Sequence, residues 1–383
     1  PRRPRMYIET IRIRSALEQP AAGSLWSNVL MESATTVGSV SGTPSKPAPD
    51  ARANLAWRDM VTPFEAPSLA RSIWQVASTL IPLAIAFYVM YRSLAFPYWT
   101  TLLLAIPTGG LTVRTFTIMH DCAHGSLFEQ RWANDMVGWF TGVLALTPYV
   151  QWRRDHVLHH ASSGDLNRRG HGDVWTLTVR EYQALPRLGK LRYRLFRHPI
   201  VLFGLGPIHM ALGQRWRSRS TASGAKELAS VRETDLALLA LIIGFSFLIG
   251  PLALAKIYIP VFMIAGASGI WLFYVQHQFE DTYWVEHEEW DYVTASIRGS
   301  SYYKLPAILN WFTCNIGLHH VHHLSPRIPN YRLHECHRAN GRLQEATTIG
   351  ILESRKSVRL TLWDEDANRL VGWDAARRSA ATA

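Results

Sequence analysis

Long apolar runs alternate along the chain with polar, histidine- and arginine-rich stretches, and the runs come in pairs. Residues 73–91 and 99–119 are joined by a short link, and residues 236–255 and 258–276 by a turn whose single charge is Lys256. Each run holds about 20 residues, which at 1.5 Å per residue reaches roughly 30 Å, the depth of a bilayer's hydrocarbon core. The pattern predicts an all-α integral membrane protein with four transmembrane helices in two hairpins and a cytosolic helical cap. Gly250-Pro251 and Pro260 punctuate the second pair. Two shorter runs, 138–150 and 199–213, fall short of a crossing and are expected as interfacial or re-entrant segments.

The ends read differently. Residues 1–55 form a basic stretch followed by a segment rich in Ser, Thr, Gly and Pro, which predicts a disordered tail. The opening residues lack the apolar core of a secretory signal, and Met31 is the expected natural start, with residues 1–30 an upstream extension. Residues 56–343 are expected as the membrane domain and residues 344–383 as a cytosolic C-terminal tail.

The formal net charge of +11 would suit a nucleic-acid binder or a membrane surface. Its distribution favours the membrane. Arg and Lys crowd the regions before residue 73, between 120 and 233, and after 277, whereas the two tight turns carry Arg92 and Lys256. Positive-inside bias then puts both termini and the central loop in the cytoplasm, with no nucleic-acid partner. Three cysteines, none in a C-x-x-C pair, exclude a disulfide framework. Cys122, two residues after His120, is expected to point away from that histidine's face.

The candidate chemistry lies in the 16 histidines. His319, His322 and His323 form an H-x-x-H-H cluster, His156, His159 and His160 a second, and His120 and His124 a pair at i, i+4. On a helix the positions i, i+3 and i+4 share a face, so each cluster is expected to bring its imidazoles to one point. All eight fall at the cytoplasmic ends of the predicted spans or in cytoplasmic segments. His277, closing the fourth span, is a ninth candidate. So many imidazoles exceed one ion's coordination and call for two metals, each held by about four histidines. Imidazole ligation suits iron, zinc or copper; open positions in a membrane enzyme suggest dioxygen chemistry, and hence iron. Asp155, Asn315 and His320 are candidates to orient the ligands, with Asp165, Asp173, Glu280 and Asp281 as further carboxylates. Trp152, Trp175, Phe273 and Tyr274 are candidate walls of a substrate channel. His171, His198, His209, His287, His334 and His337 are read as solvated or structural.

With these boxes, their order and their membrane setting, the chain resembles the membrane fatty acid desaturases, most closely the delta-12/omega-3 group. His120-Asp-Cys-Ala-His124 followed by GSLF is similar to that group's first box, HVLHHASSGDLNRRG to its second and HHVHHLSPRIPNYRL to its third, over residues 56–343. The resemblance implies a di-iron oxidase that takes O2 and two electrons and removes two hydrogens from adjacent methylenes of an acyl chain. It favours oleoyl-to-linoleoyl conversion on a glycerolipid. The chain shows no His-Pro-Gly-Gly haem element, so electrons are expected from a separate ferredoxin or cytochrome b5-like carrier. Related di-iron hydroxylases or ketolases acting on lipids, alkanes or carotenoids share such a framework, and a zinc-dependent membrane hydrolase or receptor is a more distant alternative.

Overall fold

The computed structural model describes residues 57–170, 172–220 and 224–376; the expected tail over residues 1–55, with Met31, lies outside them. Helices α1 (Leu69–Ser93) and α2 (Trp99–His124) form a hairpin at the first predicted pair. Helix α1 is inverted relative to a water-soluble helix. Its buried face carries Ser72, Gln75 and Thr79 beside Leu83 and Met90, while Ile73, Trp74, Ile81, Ile85 and Tyr88 are exposed. Such a helix suits an apolar solvent, in which polar side chains find partners only by turning inward. Helix α2 ends in the turn holding His120 and His124, because Gly125 takes the left-handed conformation (φ 68°) that stops a helix.

Helices α3 (Arg131–Leu144) and α4 (Tyr149–Ser162) follow. The apolar run 138–150 is thus the junction of two helices rather than one interfacial segment, its turn made at Leu146 (φ 57°). Strand β1 (Leu177–Thr178), α5 (Val179–Ala184) and α6 (Arg187–Arg197) lead to a π-helical turn, Ile200–Leu205, and α7 (Gly206–Ser220). Helix α6 and the stretch Ile200–Arg215 meet at a 65° bend and are long and apolar enough for a crossing only together.

The second hairpin is α8 (Ala225–Ile249) and α9 (Pro251–His277). Its turn sits at Gly250 (φ 84°) rather than at Lys256, and Lys256 and Pro260 lie inside α9. A positive φ that glycine alone accepts easily, followed by proline at the first helical position, outweighs the charge. Among the described residues three single helices, α1, α2 and α9, are long and apolar enough to cross a membrane. Helix α8 carries Arg232, Glu233 and Asp235 in the half before its apolar end. The turn of the first hairpin meets the beginning of α9, Tyr98 Oη donating to the Lys256 carbonyl at 3.0 Å. His124 and His277 therefore sit together at the opposite end.

That end is covered by α10 (Tyr292–Arg298), β2 (Tyr302–Lys304), α11 (Ala307–Phe312), α12 (His319–Leu324) and α13 (Leu333–Ala339). All of α12 is buried, packed through Val321 and Leu324 against Ile328, Leu333 and Leu343. The cap is not all-α, and the described residues after Leu343, up to 376, carry elements that pack against it. Strand β3 (Thr348–Gly350) pairs in parallel with β2, α14 (Ile351–Ser354) follows, and β4 (Leu362–Asp364) lies between β1 and β5 (Arg369–Val371). Strands of two or three residues are too short to show an alternation. Arg197 ties this layer together. Buried at the end of α6, it donates to the Trp175 carbonyl (3.2 Å), Tyr274 Oη (3.1 Å), Gln278 Oε1 (2.9 Å) and the Leu360 carbonyl (2.7 Å).

Candidate metal centre

Four helices deliver nine histidine side chains to one end of the bundle: the last turn of α2, the length of α4, the final residue of α9, and both turns of α12. They separate into two clusters. His120, His124, His156, His160 and His322 form the first, and His159, His277, His319 and His323 the second, with one ring nitrogen from each histidine of a cluster within 4.8 Å of those of the others. Neither H-x-x-H-H box converges on one point. In each, the i and i+4 histidines share a cluster and the i+3 histidine joins the other. At 100° per residue the i+3 side chain lies about 60° to one side of position i and the i+4 side chain about 40° to the other, so a box at the seam of two clusters supplies both. The clusters abut, the His160 and His323 rings stacking at 4.2 Å between centroids.

In the second cluster His159 Nε2 lies 3.2 Å from His277 Nε2, which lies 3.0 Å from His319 Nε2; His323 Nε2 is 3.1 Å from His319 Nε2. Two of these rings have committed their N–H elsewhere. Asp173 Oδ1 accepts from His159 Nδ1 at 2.8 Å, and the Gly299 carbonyl accepts from His277 Nδ1 at 3.1 Å. The two Nε2 atoms then both present lone pairs, which repel at such a distance unless a cation lies between them. Imidazole nitrogens at about 2.1 Å from one ion are separated by roughly 3.0 Å at a right angle and 3.4 Å at the tetrahedral angle, so the spacing fits a metal. The first cluster is similar: His160 Nε2 lies 3.1 Å from both His156 Nε2 and His322 Nε2, and the buried His124 Nε2 has no hydrogen-bond partner.

Burial holds His156, His160, His319, His322 and His323 far below the ordinary imidazole value, and the neighbouring imidazoles push the same way. Neutral rings keep the lone pair that a metal requires. Cys122 belongs to neither cluster; it packs with Ile118, Met119, Leu127 and Tyr149.

The carboxylates divide. Besides Asp173, Asp121 reaches a cluster, its Oδ1 3.2 Å from His120 Nδ1. Asp165 is buried but accepts from His287, outside both clusters, at 2.7 Å. Glu280 is exposed and accepts from Arg369 at 3.1 Å, and Asp281 is exposed. Asp155 accepts from Gln151 one turn back at 3.2 Å. His320 faces away, its Nε2 3.2 Å from His337 Nδ1, and burial pushes it down to about 3. Asn315 Nδ2 donates to the Asn330 carbonyl at 3.3 Å. Among the aromatics, Trp152 stacks on His156 at 4.3 Å, and Phe273 lies 5.1 Å from His159 and 5.0 Å from His277. The other two expected channel residues lie elsewhere. Trp175 packs on Tyr193 and Phe196, and Tyr274 turns its hydroxyl to Arg197 and Leu360. His171 is outside the described residues. Sequence reasoning passed over Asp121, although it adjoins His120, and no sequence signal marks the Gly299 carbonyl.

Comparison with known proteins agrees in kind. The profile of the family described as "Fatty acid desaturase" matches residues 93–351. A "Fatty acid desaturase" of Bacillus subtilis is 43% identical over 317 residues, covering 83% of this chain and 90% of the relative. An "sn-1 oleoyl-lipid 12-desaturase" of Synechocystis is 27% identical over 275 residues, 68% of this chain and 74% of the relative. An "sn-1 acyl-lipid omega-3 desaturase (ferredoxin)" of Nostoc is 26% identical over 228 residues, 57% and 61% of the two chains.

Proposed function

The chain belongs to the fatty acid desaturase family and is an oxidoreductase of acyl chains, and from that premise we propose that it inserts a cis double bond into a membrane lipid's acyl group, with O2 as co-substrate and two iron ions as cofactor. The observation that carries this reading is the convergence of nine histidines, seven of them buried and His124 and His156 half-buried, into two clusters whose Nε2 lone pairs face one another. His120, His124, His156, His160 and His322 would hold one ion, and His159, His277, His319 and His323 the other. Bound iron would supply the two-electron chemistry with O2 that an unactivated methylene C–H requires.

The protein's own residues hold and orient. Asp173, Asp121 and the Gly299 carbonyl take the Nδ1–H of His159, His120 and His277, which fixes the tautomer and aims each Nε2 inward. Burial keeps water from the clusters. Trp152 and Phe273, one against each cluster, are the walls we assign to the acyl chain. Only positioning distinguishes one methylene from the next, so such walls set where the double bond falls.

Delta-12 desaturation of a glycerolipid oleoyl group is the specificity we propose, supported by the Synechocystis relative's name. A separate ferredoxin or cytochrome b5-like protein would supply electrons, in keeping with the Nostoc relative and the basic charge. We read the chain as multi-pass with its histidine end cytoplasmic, α8 serving as the fourth span and α6 lying in the interface. Gas chromatography–mass spectrometry of fatty acid derivatives from oleate-containing cells expressing the chain, beside His322→Ala, tests this. A diene absent from the variant is expected. Hydroxy or keto products would move the reading to a related oxidation, and an unchanged profile with oleate and electron donor present would overturn it.

A further inference from the structure

Arg114 lies in the middle of the hydrophobic pattern of α2, yet its guanidinium is buried and takes part in no ion pair among the described residues. It donates to Gln75 Oε1 at 2.5 Å, to Thr79 Oγ1 at 2.8 Å and to the Trp311 carbonyl. From Gln75 the bonds continue. Gln75 Nε2 donates to Asn330 Oδ1 at 2.8 Å, and Asn330 donates through both its backbone N–H and Nδ2 to Asp121 Oδ2 at 2.8 Å. Asp121 Oδ1 then meets His120 Nδ1 at 3.2 Å. The path joins α1, α2 and the turn after α12, and every side chain on it is at least nine-tenths buried.

The chain of bonds has a direction. A guanidinium only donates, so the Gln75 amide must turn its oxygen to Arg114 and its NH2 to Asn330. The Asn330 amide must then turn its oxygen to Gln75 and its NH2 to Asp121. The carboxylate so held can only accept from His120, which leaves the proton on Nδ1 and the lone pair on Nε2. We infer that Arg114 and Gln75 are positioning residues that set, through Asn330 and Asp121, the tautomer and aim of His120 in the five-histidine cluster. The inference rests on the two-metal reading above. An ionisable residue inside an apolar helix demands a reason, and this one explains why the cation faces amides instead of a carboxylate.

The discriminating variant is Gln75→Glu. Its carboxylate still accepts from Arg114, and more strongly, but offers no N–H to Asn330, so the direction is lost while the tie between α1 and α2 remains. Metal-free full-length protein in detergent is titrated with Co2+, following the visible absorption and the number of ions bound, alongside a thermal melt. Loss of an orienting partner lowers metal affinity about 10-fold or more. The expected result is two ions in the wild type, one of them weakened about 10-fold in Gln75→Glu, and an undiminished melting temperature. Asp173→Asn identifies the sites, because it weakens the ion that Gln75→Glu spares. Two ions bound with wild-type affinities in Gln75→Glu, or both weakened alike, would overturn the relay and leave the two-metal reading standing. A wild type that binds no metal would overturn both.

Discussion

Two aspartates hold a histidine Nδ1 at nearly the same distance, and only one of those histidines belongs to a cluster. Asp173 accepts from His159 at 2.8 Å and Asp165 from His287 at 2.7 Å. If orientation of the ligand is what matters, Asp173→Asn should weaken metal binding and Asp165→Asn should not. Orienting partners of metal-bound histidines contribute about 10–100-fold in affinity, or roughly 1.4–2.8 kcal/mol. Asn keeps an oxygen where Asp173 Oδ1 stands, and the Asp173 side chain is 13% exposed, so the amide variant falls near the lower bound and Asp173→Ala near the upper. Asp165 is 1% exposed and its loss would act on folding instead. The assay is iron binding and product formation at a series of free Fe2+ concentrations, with thermal melts of both metal-free variants. Equal shifts in the two variants, or an Asp173→Ala variant within twofold of wild type, would refute the argument that the Nδ1 contact tunes the site.

Arg197→Met removes a charged donor from acceptors just before β1, on and just after α9 and in the C-terminal segment, and should lower stability by about 2–4 kcal/mol; an unchanged melting temperature in detergent would sink this account of the layer. The metal-free protein should lose stability as pH falls below about 6.5. Burial holds the folded pKa of His156, His160, His319, His322 and His323 beneath the unfolded value, so the unfolded chain takes up protons first, at up to about 1.4 kcal/mol per pH unit for each. A melting temperature flat from pH 7.5 to 5.5 would contradict it. Trp152→Ala, which clears the ring from over His156, should change product chain length or double-bond position at unchanged metal content. Loss of metal instead would show that the indole supports the ligands and is no wall.

Periodicity and spacing were enough for the helical character, for three of the apolar helices, and for the nine histidines that meet at one end. A run of about 20 apolar residues has few outlets other than a bilayer, and histidines at i and i+4 share a helical face in any tertiary setting. The division of those histidines was beyond the sequence. His159 and His322 leave their own boxes because each sits on a helix with clusters on both sides, which depends on where α4 and α12 pack. The turn at Gly250 instead of Lys256 was a contest between backbone conformation and charge that hydropathy does not weigh. Strands β1 and β2 take their partners, β4 and β3, from far along the chain, and two or three residues carry no period of their own. The polar line from Arg114 to His120 is likewise written across α1, α2 and the turn after α12; its members look like blemishes in apolar runs until packing turns them all to the same inner face.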